Sequence, residues 1–165
     1  KGIYTTERGY FQEKDSYVAN FGKVGFSPER GNRFAYYFGS GGTQDRSVLA
    51  VANNSDYSVI TVDTYSLGSF YVALPTATLS NPVSLVAGDS SHTALGSTKA
   101  GLNSVGSYGD FVVTAVANLD ADAFLEEMGV TTQGGTQTGN YSDNFGNNGD
   151  IAPGTVFETA DDVGD

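Results

Sequence analysis

The chain has 165 residues, enough for one domain with its own core and too few to suggest two. Eight Lys and Arg against nineteen Asp and Glu leave a net charge of −11, a field that repels phosphate backbones and anionic lipid headgroups, so nucleic acid is not expected as a partner. The absence of Cys removes disulfides, thiolate metal sites and cysteine nucleophiles, and a single His leaves zinc short of its usual ligand set.

A helix is expected over Gly2 to Ser16. Ile3 and Tyr4 recur seven residues later as Tyr10 and Phe11 and so share one stripe, with Glu7, Arg8, Gln12, Glu13 and Lys14 on the other faces. The pattern starts at once, at a Lys and without a capping residue, as in a helix that continues upstream. From Asp15 to Arg33 the period is lost. Gly22, Gly25, Pro28 and Gly31 break helix and strand alike, which leaves a loop pinned by Tyr17, Phe21 and Phe26.

Strands are expected at Phe34 to Phe38, Ser47 to Ala52, Tyr57 to Thr64, Ser69 to Leu74 and Phe111 to Ala117, all rich in Val, Ile, Tyr and Phe. Gly39 to Gly42 and Asn53 to Asp56 suit hairpin connections, while Pro75 and Pro82 disfavour a central strand between them. Asn118 to Asp122 suits a turn leading from the last strand to Phe124 to Val130. Thr131 to Gly149 is nearly low complexity, a long loop with Tyr141 and Phe145 as its anchors. The twenty Phe and Tyr suit core packing better than a sugar-stacking face, since no Trp is present.

No constellation for catalysis emerges. His92 lies in the loop stretch Gly88-Asp89-Ser90-Ser91-His92, where Ser, His and Asp are sequence neighbours rather than groups brought together from separate elements, and no G-x-S-x-G is present. No phosphate-cradling glycine loop opens a helix. Asn118, Asp120 and Asp122 alternate like the first half of a calcium loop, but the Gly and Glu of an EF-hand are replaced by Ala123 and Gly129; Asp161 and Asp162 form the other oxygen cluster. No cofactor is expected, and any calcium bound at these residues would be bound weakly. Charge is also unevenly divided. Residues 1 to 33 hold six basic and four acidic groups, net +2; residues 34 to 165 hold Arg46 and Lys99 against fifteen acids, net −13. Such a division suits a solvated acidic surface, or contact between the basic region of one copy and the acidic region of another.

Ile3-Tyr4-Thr5 through Tyr10-Phe11, then Tyr17, then Gly25-Phe26-Ser27-Pro28-Glu29-Arg30-Gly31-Asn32-Arg33-Phe34, resembles the helix, loop and first strand of type IVa major pilins of the deltaproteobacterial kind. Val116-Ala117-Asn118-Leu119-Asp120-Ala121-Asp122 is similar to a strand and turn of the same family. The resemblance covers about the first 38 residues and a stretch near 111 to 130. In the residues themselves, Pro28 presets a turn, Gly31 permits positive φ, and Arg30 and Arg33 offer forked donors on either side of Asn32, with Glu29 the nearest acid in sequence.

The fold expected is α+β and pilin-like, one N-terminal helix packed on an antiparallel sheet with long loops. Residues 1–16 would be the C-terminal half of the helix, 17–33 the connecting loop, 34–130 the sheet with an insertion, and 131–165 a C-terminal loop region, all in one domain spanning 1–165. The resemblance implies a structural subunit of a type IV pilus, polymerising with copies of itself on the cell surface for adhesion and twitching motility. It further implies partners in the pilus assembly machinery and an inner-membrane stage before assembly, with membrane contact only through an N-terminal segment upstream of Lys1. It implies no catalytic activity. Ile3, Tyr4, Tyr10, Phe11, Pro28, Glu29, Arg30, Asn32 and Arg33 would serve subunit or loop packing. A pseudopilin of a type II secretion system and a glycan-binding adhesin domain are the alternatives. The family's frequent C-terminal disulfide has no counterpart in this Cys-free chain.

Overall fold

A computed structural model describes residues 1–39, 41–51, 55–68, 85–86, 101–103, 110–119, 126–132, 135–137 and 150–160. Helix α1 runs over Gly2–Lys14, and Asp15 closes it in the left-handed conformation, its amide donating to the Phe11 carbonyl. The buried stripe differs from the expected one in one respect. Ile3 is buried and Tyr4, Tyr10 and Phe11 are half-buried, but Glu7, assigned above to an outer face, is fully buried with them. Its position explains this: Glu7 lies four residues after Ile3 and three or four before Tyr10 and Phe11, the centre of the stripe they define.

The helix lies on a sheet built from β1 (Ala35–Tyr37), β2 (Thr43–Gln44), β3 (Val59–Ile60), β5 (Gly101–Asn103), β6 (Asp110–Ala117), β7 (Glu126–Thr131) and β10 (Phe157–Ala160), with a short helix α2 over Thr64–Leu67. Strand order is β10-β7-β6-β1-β3-β2, and β5 pairs with the Asp110 end of β6. β6 and β7 form the expected antiparallel pair, from Val112 opposite Thr131 to Ala117 opposite Glu126. β4 (Leu85–Val86), β8 (Gly135–Gln137) and β9 (Asp150–Ile151) make a second, three-stranded sheet. Region 131–165 is therefore more than loop, since it supplies β8 and β9 and the edge strand β10.

Three expectations about strands and turns are corrected. Ser47 to Val51 is not a strand, and Ala52 lies outside the described residues: the Asp45 carboxylate caps the Ser47 amide, and the Arg30 guanidinium takes the Val48 and Leu49 carbonyls that a ladder would need. The strand within Tyr57 to Thr64 is cut to Val59–Ile60, because Asp63 caps α2 through the Ser66 amide at 3.0 Å. Gly39 to Gly42 is not a hairpin, because β2 runs parallel to β3 on the edge opposite β1. Gly42 serves close approach instead, since a Cβ there would lie 2.6 Å from the Asp56 carbonyl oxygen. The strand expected at Ser69 to Leu74, the segment around Pro75 and Pro82, the His92 turn, Asn53-Asn54 and the anchors Tyr141 and Phe145 lie outside the described residues.

The core is aromatic. Phe21, Phe38 and Phe111 are fully buried with Ile60, and rings run in contact from helix through loop to sheet: Phe11 on Tyr17 at 4.6 Å, Tyr17 on Phe111 at 5.1 Å, Phe111 on Phe38 at 5.6 Å and Phe38 on Phe21 at 5.5 Å. Stacked, edge-on and tilted ring pairs of this kind add about 0.5 to 1.5 kcal/mol each beyond the area they bury.

Candidate functional site

The loop between α1 and β1 is held by three nodes. In the first, the Phe21 amide donates to the Tyr57 carbonyl at 2.8 Å, Asn20 Nδ2 donates to Asp56 at 2.6 Å, and Ser58 Oγ donates to the Ala19 carbonyl. Gly22 makes this approach possible, as a Cβ there would stand 2.7 Å from the Ser55 backbone.

In the second node, Arg46 is 3% exposed and donates only to neutral oxygens: the carbonyls of Pro28 at 2.8 Å and Glu29 at 3.1 Å, Asn32 Oδ1 at 3.0 Å, Ser27 Oγ at 2.9 Å and Gln44 Oε1 at 2.9 Å. Burial and then the nearby Arg30 charge pull its pKa below the usual arginine value, with the Asp63 charge working the other way. Asn32 completes the node by donating to the Phe34 and Thr61 carbonyls at 2.8 and 2.9 Å.

In the third node, Arg30 forks onto Asp63, Nε at 2.5 Å and a terminal nitrogen at 2.9 Å, and its guanidinium lies 5.6 Å from the centre of the Tyr65 ring. Asp63 is fully buried; burial raises its pKa, but bonds from the Gly31 and Ser66 amides and the Arg30 and Ser66 side chains outweigh this and hold it at about 2. The nearest acid in sequence, Glu29, is exposed, while Arg30 donates to Asp63 and to the carbonyls of Val48 and Leu49. Arg33 is exposed. Neither Arg46 nor Asp63 was singled out from sequence. Both sit 14 or more residues from the motif they clamp, and the one available signal was that Arg46 and Lys99 are the sole cations beyond Arg33.

Glu7 is the other feature missed. Its two carboxyl oxygens are buried without a hydrogen-bond partner, and burial raises its pKa to about 8, with the Val18 backbone working the other way. Tyr36 beside Ala115 beside Met128 lines a groove of about 330 Å³ bordered by Gly2, Ile3 and Phe26.

Of the calcium candidates, Asn118 is buried at the end of β6, while Asp120, Asp122, Asp161 and Asp162 lie outside the described residues. Among the described residues no three His, Asp or Glu side chains gather as a metal site, and no helix is long and apolar enough to cross a membrane.

A helix seated on a mostly antiparallel sheet, with its connecting loop clamped by two arginines, defines an α+β domain whose polar groups serve to fix the loop. Comparison gives the family: the model described as type IV pilin PilA matches residues 1–126, and the chain belongs to that family. It is also similar to the type IV major pilin protein PilA of Myxococcus xanthus (strain DK1622), 47% identical over 36 residues. That match spans 22% of this chain and 16% of the relative's length. The family is a structural one.

Proposed function

We propose that the chain is a structural subunit of a type IV pilus, polymerising with copies of itself into filaments on the cell surface that serve adhesion and twitching motility. Family membership across residues 1–126 carries this reading. The geometry supports it, because the polar groups that could have made chemistry, Asp63, Arg30 and Arg46, are consumed in holding the loop to the sheet. The pilus assembly machinery would be its other partner, and the inner membrane its location before assembly. Ile3, Tyr4, Tyr10 and Phe11 would seat the helix, while Pro28, Glu29, Arg30, Asn32 and Arg33 would give the loop one fixed shape to present to neighbours.

Deleting the gene tests this. Surface filaments and twitching should be lost and should return with the gene on a plasmid, and sheared filaments should contain this chain. Undiminished filaments and motility in the deletion strain would refute it.

A further inference from the structure

On helix α1, Glu7 stands between Tyr4 and Phe11, three residues after the one and four before the other, so all three share a face. Rings join those two flanks across it: Tyr4 to Phe111 at 6.1 Å, Phe111 to Tyr17 at 5.1 Å and Tyr17 to Phe11 at 4.6 Å. Beneath this arc Glu7 is fully buried, and neither carboxyl oxygen has a hydrogen-bond partner. The titratable side chains around it are Tyr4 and Tyr10 on its own helix and Tyr17 on the loop. Arg8, next in sequence, is exposed and donates to the Tyr17 hydroxyl at 3.2 Å. The sheet contributes Phe111, and the turn after β9 sets Gly154 against the Tyr4 ring; neither titrates. Burial is the first influence on the Glu7 carboxyl, and it favours the proton.

A neutral carboxyl can remain in such a place, whereas a carboxylate there needs water or a counter-charge. The four rings do not resist its ionisation equally. Phe111 is fully buried and bonded through its amide and its carbonyl to Thr132. Tyr4 and Phe11 belong to the helix itself. From Ser16 to Val18, by contrast, no backbone group bonds to the sheet among the described residues, and Tyr17 is half-buried. That stretch is bounded by the left-handed Asp15 at the end of α1 and by the Ala19 carbonyl, which Ser58 holds. We propose that Glu7 is a proton-operated latch on the start of the loop: with the proton on, the rings close over it, and when the proton leaves for solvent Ser16–Val18 swings out, lifting Tyr17 from Phe11 and Phe111. Water then reaches the carboxylate while the helix, the sheet and the anchors at Asn20 and Phe21 stay in place. The latch does not depend on the pilus-subunit reading.

The Asn20 amide reports this opening, because it donates to the Val18 carbonyl at 2.7 Å and loses that bond when Val18 moves. Its hydrogen exchange in the full-length protein is compared between the parent and Glu7→Gln at pH 5, 6.5 and 8, the ratio at each pH cancelling the base catalysis of exchange itself. One proton released per opening makes that ratio climb about tenfold per pH unit between the ordinary 4.5 and about 8. The Leu67 amide, bonded to the Asp63 carbonyl in α2, opens without uncovering Glu7 and should give a constant ratio. A flat ratio at Asn20 overturns the latch. So does an Asn20 rate in the parent no faster than that of Val113 in β6, since only unfolding of the whole domain would then uncover Glu7. Carbon-13 NMR of the Glu7 carboxyl is the second reading: a midpoint well above 4.5 supports the latch, and one near 4.5 overturns it.

Discussion

At the scale of single residues, two buried carboxyl groups set opposite limits on stability. Glu7 has an ordinary value of 4.5 and is raised to about 8, so from about pH 4.5 upward the folded chain keeps a proton that the unfolded chain gives up. Stability therefore falls as pH rises through this window and levels off above 8, a loss on the order of 4 kcal/mol. Asp63 runs the other way. Lowered from 3.8 to about 2, it adds stability that is present above 3.8 and disappears as pH falls toward 2. These two groups together place the maximum near the two ordinary values, 3.8 and 4.5. Glu7→Gln should flatten the alkaline limb and raise the melting temperature at pH 8, a result that thermal melts across pH 3 to 9 would show; an unchanged slope would mean that Glu7 is ionised in the fold. Asp63→Asn should cost about 2 to 3 kcal/mol in denaturant titrations, below the value for a fully buried pair because the Arg30 side chain is 37% exposed.

At the scale of elements, the clamp and the aromatic core carry separate predictions. Arg46→Lys keeps the charge but loses the fork that reaches the Pro28 carbonyl, Asn32 and Ser27 together, so loss of 2 kcal/mol or more, roughly, is expected with faster hydrogen exchange in residues 27–32. Phe111→Ala removes the ring that Tyr4, Tyr17 and Phe38 all touch and should cost about 3 to 5 kcal/mol. An equilibrium melt that leaves either variant within 0.5 kcal/mol of the parent, roughly the spread of a surface substitution, would contradict the role given to it. Elements with a local signal were legible in sequence. Helix α1 showed in its period, β1 and β6 in runs of Phe, Tyr and Val ending at turn residues, and β7 as the segment after the Asn118 to Asp122 turn. Missed were the features made by partners far along the chain. Arg30 reaches 33 residues to Asp63 and draws the Val48 carbonyl out of any ladder, and β2 runs parallel to β3 through a connection that looked like a hairpin. Glu7 was misplaced for another reason: a carboxyl was assigned to solvent by residue type, although its spacing put it at the centre of the buried stripe.

At the scale of the whole molecule, charge is divided between a net +2 over residues 1–33 and a net −13 over residues 34–165. The domain by itself should sediment as a monomer at low and high salt, because exposed ion pairs contribute about 0 to 1 kcal/mol each and a net charge of −11 repels its own kind. A salt-resistant oligomer would show that the domain carries a sufficient interface alone. The central claim is that this chain is the repeating unit of a surface filament, and an electron cryomicroscopy reconstruction of filaments sheared from producing cells tests it most directly. The account predicts one copy of helix α1 on its sheet in every repeat; a filament whose repeat is built from a different chain would contradict it.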